Sequence, residues 1–114
     1  MNQLRLLRSE NQFTSCALED VQNYVGKGWH PIIESLVDAL FTAGWDGVVL
    51  QCKEKFGGLR FYINYSPELD VIVNEYETKS YSTCEFCGDP GTRCSPRGWI
   101  KTLCDSCKES RYND

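Results

Sequence analysis

No apolar run in these 114 residues approaches the ~20 needed to cross a bilayer, so no membrane partner is expected. The opening octet, Met1-Asn2-Gln3-Leu4-Arg5-Leu6-Leu7-Arg8, is too charged for the core of a secretory leader, and a cytoplasmic location is expected. A basic excess is missing too: 12 Lys and Arg stand against 16 Asp and Glu, a net charge of −4 with a pI near 5.0. Residues 1–83 carry seven basic and eleven acidic side chains, and residues 84–114 five of each. Neither part offers, by composition, the positive face that phosphate binding by counterion release requires. Histidine is nearly absent. His30 stands alone, ahead of a helix-opening Pro31, and reads as a capping or loop residue. With no nucleophile beside an evident base, the chain is not expected to be an enzyme.

Cysteine, by contrast, is abundant, and the seven residues form an odd number. An odd count without a leader argues for a reducing compartment and metal use over a disulfide framework. Four of them make two Cys-x-x-Cys pairs, Cys84/Cys87 and Cys104/Cys107, separated by sixteen residues. That spacing falls in the range of a four-cysteine zinc site, where each pair brings two thiolates into one tight turn. Gly88 after the first pair suits such a turn, and Pro90-Gly91 and Pro96-Arg97-Gly98 mark turns between the pairs. Trp99-Ile100-Lys101-Thr102-Leu103 reads as a short strand entering the second pair, completing a zinc ribbon that holds one structural Zn²⁺. Two disulfides, a redox Cys-x-x-Cys and four unconnected thiols are the competing readings; the spacing favours zinc over all three. Cys94 has no partner at the right spacing and reads as a bystander, and Cys16 as a lone buried thiol.

The rest of the chain reads as a small body of one domain's length. Residues 2–10 suggest a short helix with Leu4 and Leu7 on one side, and Leu18, Val21, Tyr24 and Val25 fit helical spacing. Pro31 opens a helix over 31–43, with Ile32, Ile33, Leu36, Val37, Leu40 and Phe41 in one apolar stripe and Gly44 as its stop. Alternating residues predict strands over 48–54 and 59–65, joined by a turn at Phe56-Gly57-Gly58. Ser66-Pro67-Glu68 starts a second helix over 67–79. The expected fold class is α+β: a small antiparallel hairpin or sheet (residues 1–83) packed by two helices, with the zinc ribbon (residues 84–114) packed directly on it. Lys53, Glu54, Lys55 and Arg60 gather charge at the hairpin turn. They mark either an anion- or partner-binding site or, the favoured reading, a solvated face with cross-strand ion pairs worth little.

Three pieces of sequence carry a resemblance: Gly28-Trp29-His30-Pro31-Ile32, Lys53-Glu54-Lys55-Phe56-Gly57-Gly58-Leu59-Arg60-Phe61-Tyr62, and Cys84-Glu85-Phe86-Cys87-Gly88-Asp89-Pro90-Gly91 with Trp99 and Leu103-Cys104-Asp105-Ser106-Cys107. Over residues 26–107 the chain resembles a group of small proteins of bacteriophages and bacterial mobile elements, the Lys-Phe-Gly-Gly-Leu-Arg-Phe-Tyr block being the most specific part. The resemblance implies a phage or prophage origin, a bacterial host cell and the same zinc-bound C-terminus, and it transfers no catalytic residue. The expected function is then a non-enzymatic, zinc-stabilised binding protein that occupies a host protein or ribonucleoprotein, including an inhibitor of a defence system such as CRISPR. Phe56, Arg60, Tyr62, Arg97 and Trp99 are its candidate contacts. The alternatives are a nucleic-acid-binding ribbon using Arg93, Arg97, Lys101 and Trp99, and, less favoured, a small enzyme.

Overall fold

A computed structural model describes residues 3–112; Met1 and Asn2, and Asn113 and Asp114 at the far end of the expected ribbon, lie outside the described residues. The elements run β1 (Leu4–Ser9), β2 (Gln12–Cys16), α1 (Leu18–Gln22), a 3-10 turn (Lys27–Trp29), α2 (His30–Thr42), β3 (Val48–Val49), β4 (Gln51–Lys55), β5 (Gly58–Tyr62), α3 (Pro67–Ser80), β6 (Thr92–Cys94), β7 (Lys101–Leu103) and α4 (Asp105–Tyr112). The class is α+β. No helix among the described residues is long and apolar enough to cross a membrane.

The N-terminal segment expected as a helix is a strand. Leu4 and Leu6 point into the core while Arg5 faces out, a period of two that Leu4 and Leu7 at i, i+3 had disguised. Asn11, in the left-handed region at φ 55, turns β1 into β2, and β3 adds beside β1 in parallel with Arg5 opposite Val48. The expected strand 48–54 therefore serves two sheets: Val48–Val49 completes β2-β1-β3, and Gln51–Lys55 pairs with β5. The second expected strand stops at Tyr62, three residues early, and the last one begins at Lys101 rather than Trp99.

Both expected helices form. Pro31 sits in the first turn of α2, which buries Ile33, Leu36, Val37 and Leu40; Ser66 caps α3, its hydroxyl accepting from the Leu69 N–H at 3.4 Å. The core gathers α1, α2, α3 and the inner faces of β1 and β3–β5 around Trp29, Leu40, Leu59 and Phe61. Trp29 and Trp45 both belong to it. His30 opens α2, with its Nε2 3.2 Å from the Val25 carbonyl. Cys16 is half-buried, not fully enclosed, and of the thiols outside the two Cys-x-x-Cys pairs it is Cys52 that is buried, pushed up to about 12 by desolvation and then by nearby Glu77.

Candidate metal centre

The first Cys-x-x-Cys pair closes a tight loop: Cys84 N–H donates to the Asp89 carbonyl at 2.7 Å and Gly88 N–H to the Cys84 carbonyl at 3.0 Å. Gly88 has φ +88, the conformation for which a glycine is needed there. The β6–β7 hairpin follows, with Arg93 opposite Thr102 and Cys94 opposite Lys101. The second pair brackets the start of α4, a helix the sequence reading did not anticipate, so that Cys107 lies in its first turn and its N–H donates to the Cys104 sulfur at 3.4 Å. Arg111, a turn further on, covers the Phe86 ring at 3.8 Å and ties α4 back to the first loop.

These elements bring the ligand atoms of Cys84, Cys87, Cys104 and Cys107 within 4.8 Å of one another. A tetrahedral ion with bonds of about 2.3 Å to sulfur requires S···S edges near 3.8 Å. Cys87 and Cys104 are 3.5 Å apart, far longer than the ~2.05 Å of a disulfide, and all seven cysteines are free. The four sulfurs therefore fit one metal ion, and Cys94 stands outside the set. Burial acts to raise the Cys84 thiol, but the backbone N–H groups of Cys104, Cys87 and Phe86 outweigh it and hold the group at about 6. Burial and the neighbouring sulfurs push Cys107 up to about 12. One ligand is thus prepared as a thiolate near neutral pH, and metal binding must expel protons from Cys87 and Cys107, both raised above the ordinary thiol value.

The body grips this centre through backbone. Gly28 N–H donates to the Glu85 carbonyl at 2.7 Å, and Trp29 Nε1 donates to the Thr83 carbonyl at 2.8 Å. A Cβ on Gly28 would stand 2.0 Å from the Cys84 carbonyl oxygen, and one on Gly26 2.4 Å from that of Glu85. Glycine is required at both positions for space. On the other side, Thr102 Oγ1 donates to the Gly57 carbonyl at 2.6 Å, and Arg93 Nη2 donates to the Phe56 carbonyl at 2.6 Å. Glu85, 5% exposed, accepts from Gly26 N–H at 3.3 Å and faces Lys101 Nζ at 3.8 Å, which also reaches Glu54 at 3.5 Å. Burial raises the Glu85 carboxyl above its ordinary value, with Lys101 acting against that.

The candidate contact residues fall into two places. Phe56 is exposed at the β4–β5 turn, Tyr62 is exposed on β5, and Arg60 is half-buried with its Nη1 donating to Tyr81 Oη at 2.8 Å. Arg97 and Trp99 lie in the β6–β7 connection; Trp99 is 75% exposed, and no hydrogen bond or ring contact joins it to the first group among the described residues. Lys101, a cation of the nucleic-acid alternative, is turned to Glu54 and Glu85. The cross-strand ion pairs expected at the hairpin are absent among the described residues: the register sets Lys53 opposite Arg60 and Glu54 opposite Leu59. Tyr81 went unnoticed in the sequence. Its ring fills the space a Cβ on Gly58 would enter, and it lies under the Arg60 and Arg93 guanidiniums at 5.8 and 4.9 Å. Comparison with family models, with curated proteins and with solved structures finds no match for the chain.

Proposed function

We propose that the chain is a zinc-stabilised, non-enzymatic binding protein of phage type, which works by engaging a macromolecule of its bacterial host in the cytoplasm. The observation that carries the reading is the closed set of four cysteine sulfurs clamped between the Gly26–Trp29 turn and the β4–β5 hairpin. A thiolate-only tetrahedral set suits zinc, and four protein ligands leave no coordination position for a substrate. The metal's role is then structural, and a centre gripped on both sides holds the hairpin beside it in place. The resemblance of the Lys53–Tyr62 block to phage proteins supports a host protein or ribonucleoprotein as the target, and a defence system such as CRISPR as its setting. Native mass spectrometry of the protein purified from a bacterial host, paired with metal analysis, tests the foundation: one zinc per chain is expected. A metal-free chain that folds and melts like the loaded one would overturn it.

A further inference from the structure

The outer face of the β4–β5 hairpin is basic and aromatic although the chain as a whole is acidic. Period-two alternation puts Cys52 and Glu54 on the side turned to the core and the metal lobe, and Lys53 and Lys55 on the other. Register then adds Arg60, directly opposite Lys53, and Tyr62 to the same face. The metal hairpin contributes Arg93, held over Tyr81 and against the Phe56 carbonyl. Among the described residues none of these four cations has a salt-bridge partner. Glu77, whose carboxylate accepts from the Phe61 N–H at 2.8 Å, acts on Arg60 electrostatically without forming a salt bridge to it. Like charges facing each other across a ladder are destabilising, and Lys53 against Arg60 is such a pair.

Phe56 is the second observation. It occupies the two-residue turn with Gly57, both at positive φ (53 and 81), a position suited to Asn or Gly and costing about 1–2 kcal/mol for a bulky residue. Its ring is 58% exposed, so core burial does not account for it. Tyr62 is 38% exposed, and Lys53 and Lys55 lie 5.7 and 5.6 Å from the Tyr62 and Phe56 ring centres. Exposed rings interleaved with unpaired cations are what a single-stranded nucleic acid needs: phosphates neutralise the cations and bases stack on the rings. We propose that this face binds single-stranded nucleic acid, through Lys53, Lys55, Arg60 and Arg93 to phosphates and through Phe56 and Tyr62 to bases. The inference rests on the binding-protein reading and names its partner.

The test is fluorescence-anisotropy titration of the metal-loaded full chain against labelled dT and U oligonucleotides of 20 nucleotides, at several salt concentrations. Four phosphate contacts give a slope of log K on log salt of about −2.8, and Lys53→Gln with Lys55→Gln brings it to about −1.4. Phe56→Asn is the variant that separates folding from binding: it relieves the turn, so thermal stability holds or rises while affinity falls roughly tenfold with the slope unchanged. Absence of binding at 50 mM salt, or binding indifferent to Lys53, Lys55 and Phe56, overturns the proposal. So does selective, Phe56-dependent capture of an acidic protein with no oligonucleotide binding, which would leave the binding-protein reading standing. Loss of metal content in the same preparations would mark failure of the underlying reading.

Discussion

Replacing Gly28 by alanine probes whether the metal lobe and the body are one structure. Gly28 does not adopt a positive φ, so the substitution leaves its backbone preference intact and adds only a methyl group. That group would meet the Cys84 carbonyl oxygen at 2.0 Å, the Gly88 nitrogen at 2.5 Å and the Glu85 carbonyl carbon at 2.8 Å. All three are backbone atoms of the metal-binding loop, which cannot rotate away as a side chain would. Overpacking of this kind costs about 1–3 kcal/mol, and opening the gap strains the Gly28–Glu85 hydrogen bond, worth about 1 kcal/mol more. Against a typical domain stability of about 5–15 kcal/mol, a loss of roughly 2–4 kcal/mol is severe. Gly44→Ala is the control: its φ of +96 gives it about 1–2 kcal/mol of strain in open space, far from the cysteines in sequence. Urea unfolding of the metal-loaded chains should place Gly28→Ala below Gly44→Ala. Chelator competition should show metal affinity at least tenfold weaker in Gly28→Ala and unchanged in Gly44→Ala. Equal losses with equal metal affinities would refute the argument that the body shapes the metal loop.

Removing the metal from the wild-type chain should release the Thr83–Thr102 region from Trp29 and Gly57; near-ultraviolet circular dichroism and hydrogen exchange at the Gly28 amide, which donates to the Glu85 carbonyl, should both report it, and Cys104→Ser should do the same without chelator. Lys101→Met leaves Glu85 buried with one long hydrogen bond from Gly26, so stability should fall by about 1–3 kcal/mol, with a second change, Glu85→Gln, restoring part of it in a double-mutant cycle. Glu77 gives a pH dependence. Burial raises its carboxyl above the ordinary value, with the Phe61 N–H and Arg60 acting against that. The raised value means its contribution to stability is fully present below the unfolded pKa and is lost as pH rises through the folded one. Glu77→Gln should therefore gain on the wild type at neutral pH, and the gap should close as pH falls to the ordinary carboxylate range; a gap that widens on acidification would show the sign to be wrong.

What the sequence showed well were features with local causes. The ligand spacing, the Pro31 and Ser66 helix starts and the Phe56-Gly57 turn each follow from a few neighbouring residues, and each is present. The segment Leu4–Ser9 was misread because six residues with leucines at three positions fit a helical face as well as a strand. Only the partners, β2 and the distant β3, decide between them. Val48 to Glu54 looked like one strand because alternation does not reveal that Leu50 marks a change of sheet. Gly26 and Gly28 looked like ordinary loop glycines. Their reason lies 59 and 56 residues away, in the carbonyls of Glu85 and Cys84. Helix α4 was hidden by its composition, since only seven mostly polar residues follow the second cysteine pair.

Charge is where composition misleads most, and the cause is geometric. Counting along the chain scatters Lys53, Lys55, Arg60 and Arg93 among more numerous acids and returns −4. Folding sorts them. The pleat of β4 separates Lys53 and Lys55 from Glu54, which sits between them in sequence yet on the opposite side. Glu54 is then taken up on that side, accepting from the Gly57 N–H at 2.8 Å and pairing with Lys101. The metal hairpin delivers Arg93 to the lysine side through the Phe56 carbonyl. The centre thus does two things at once: it draws the intervening acid into a half-buried bridge and adds a cation to the face left behind. A net negative molecule with one positive face orients in the field of a polyanion, its acidic remainder pointing away. Under the proposal that the hairpin face binds nucleic acid, such a dipole favours engagement through the hairpin over other approaches, and the overall acidity then supplies selectivity of orientation instead of opposing binding.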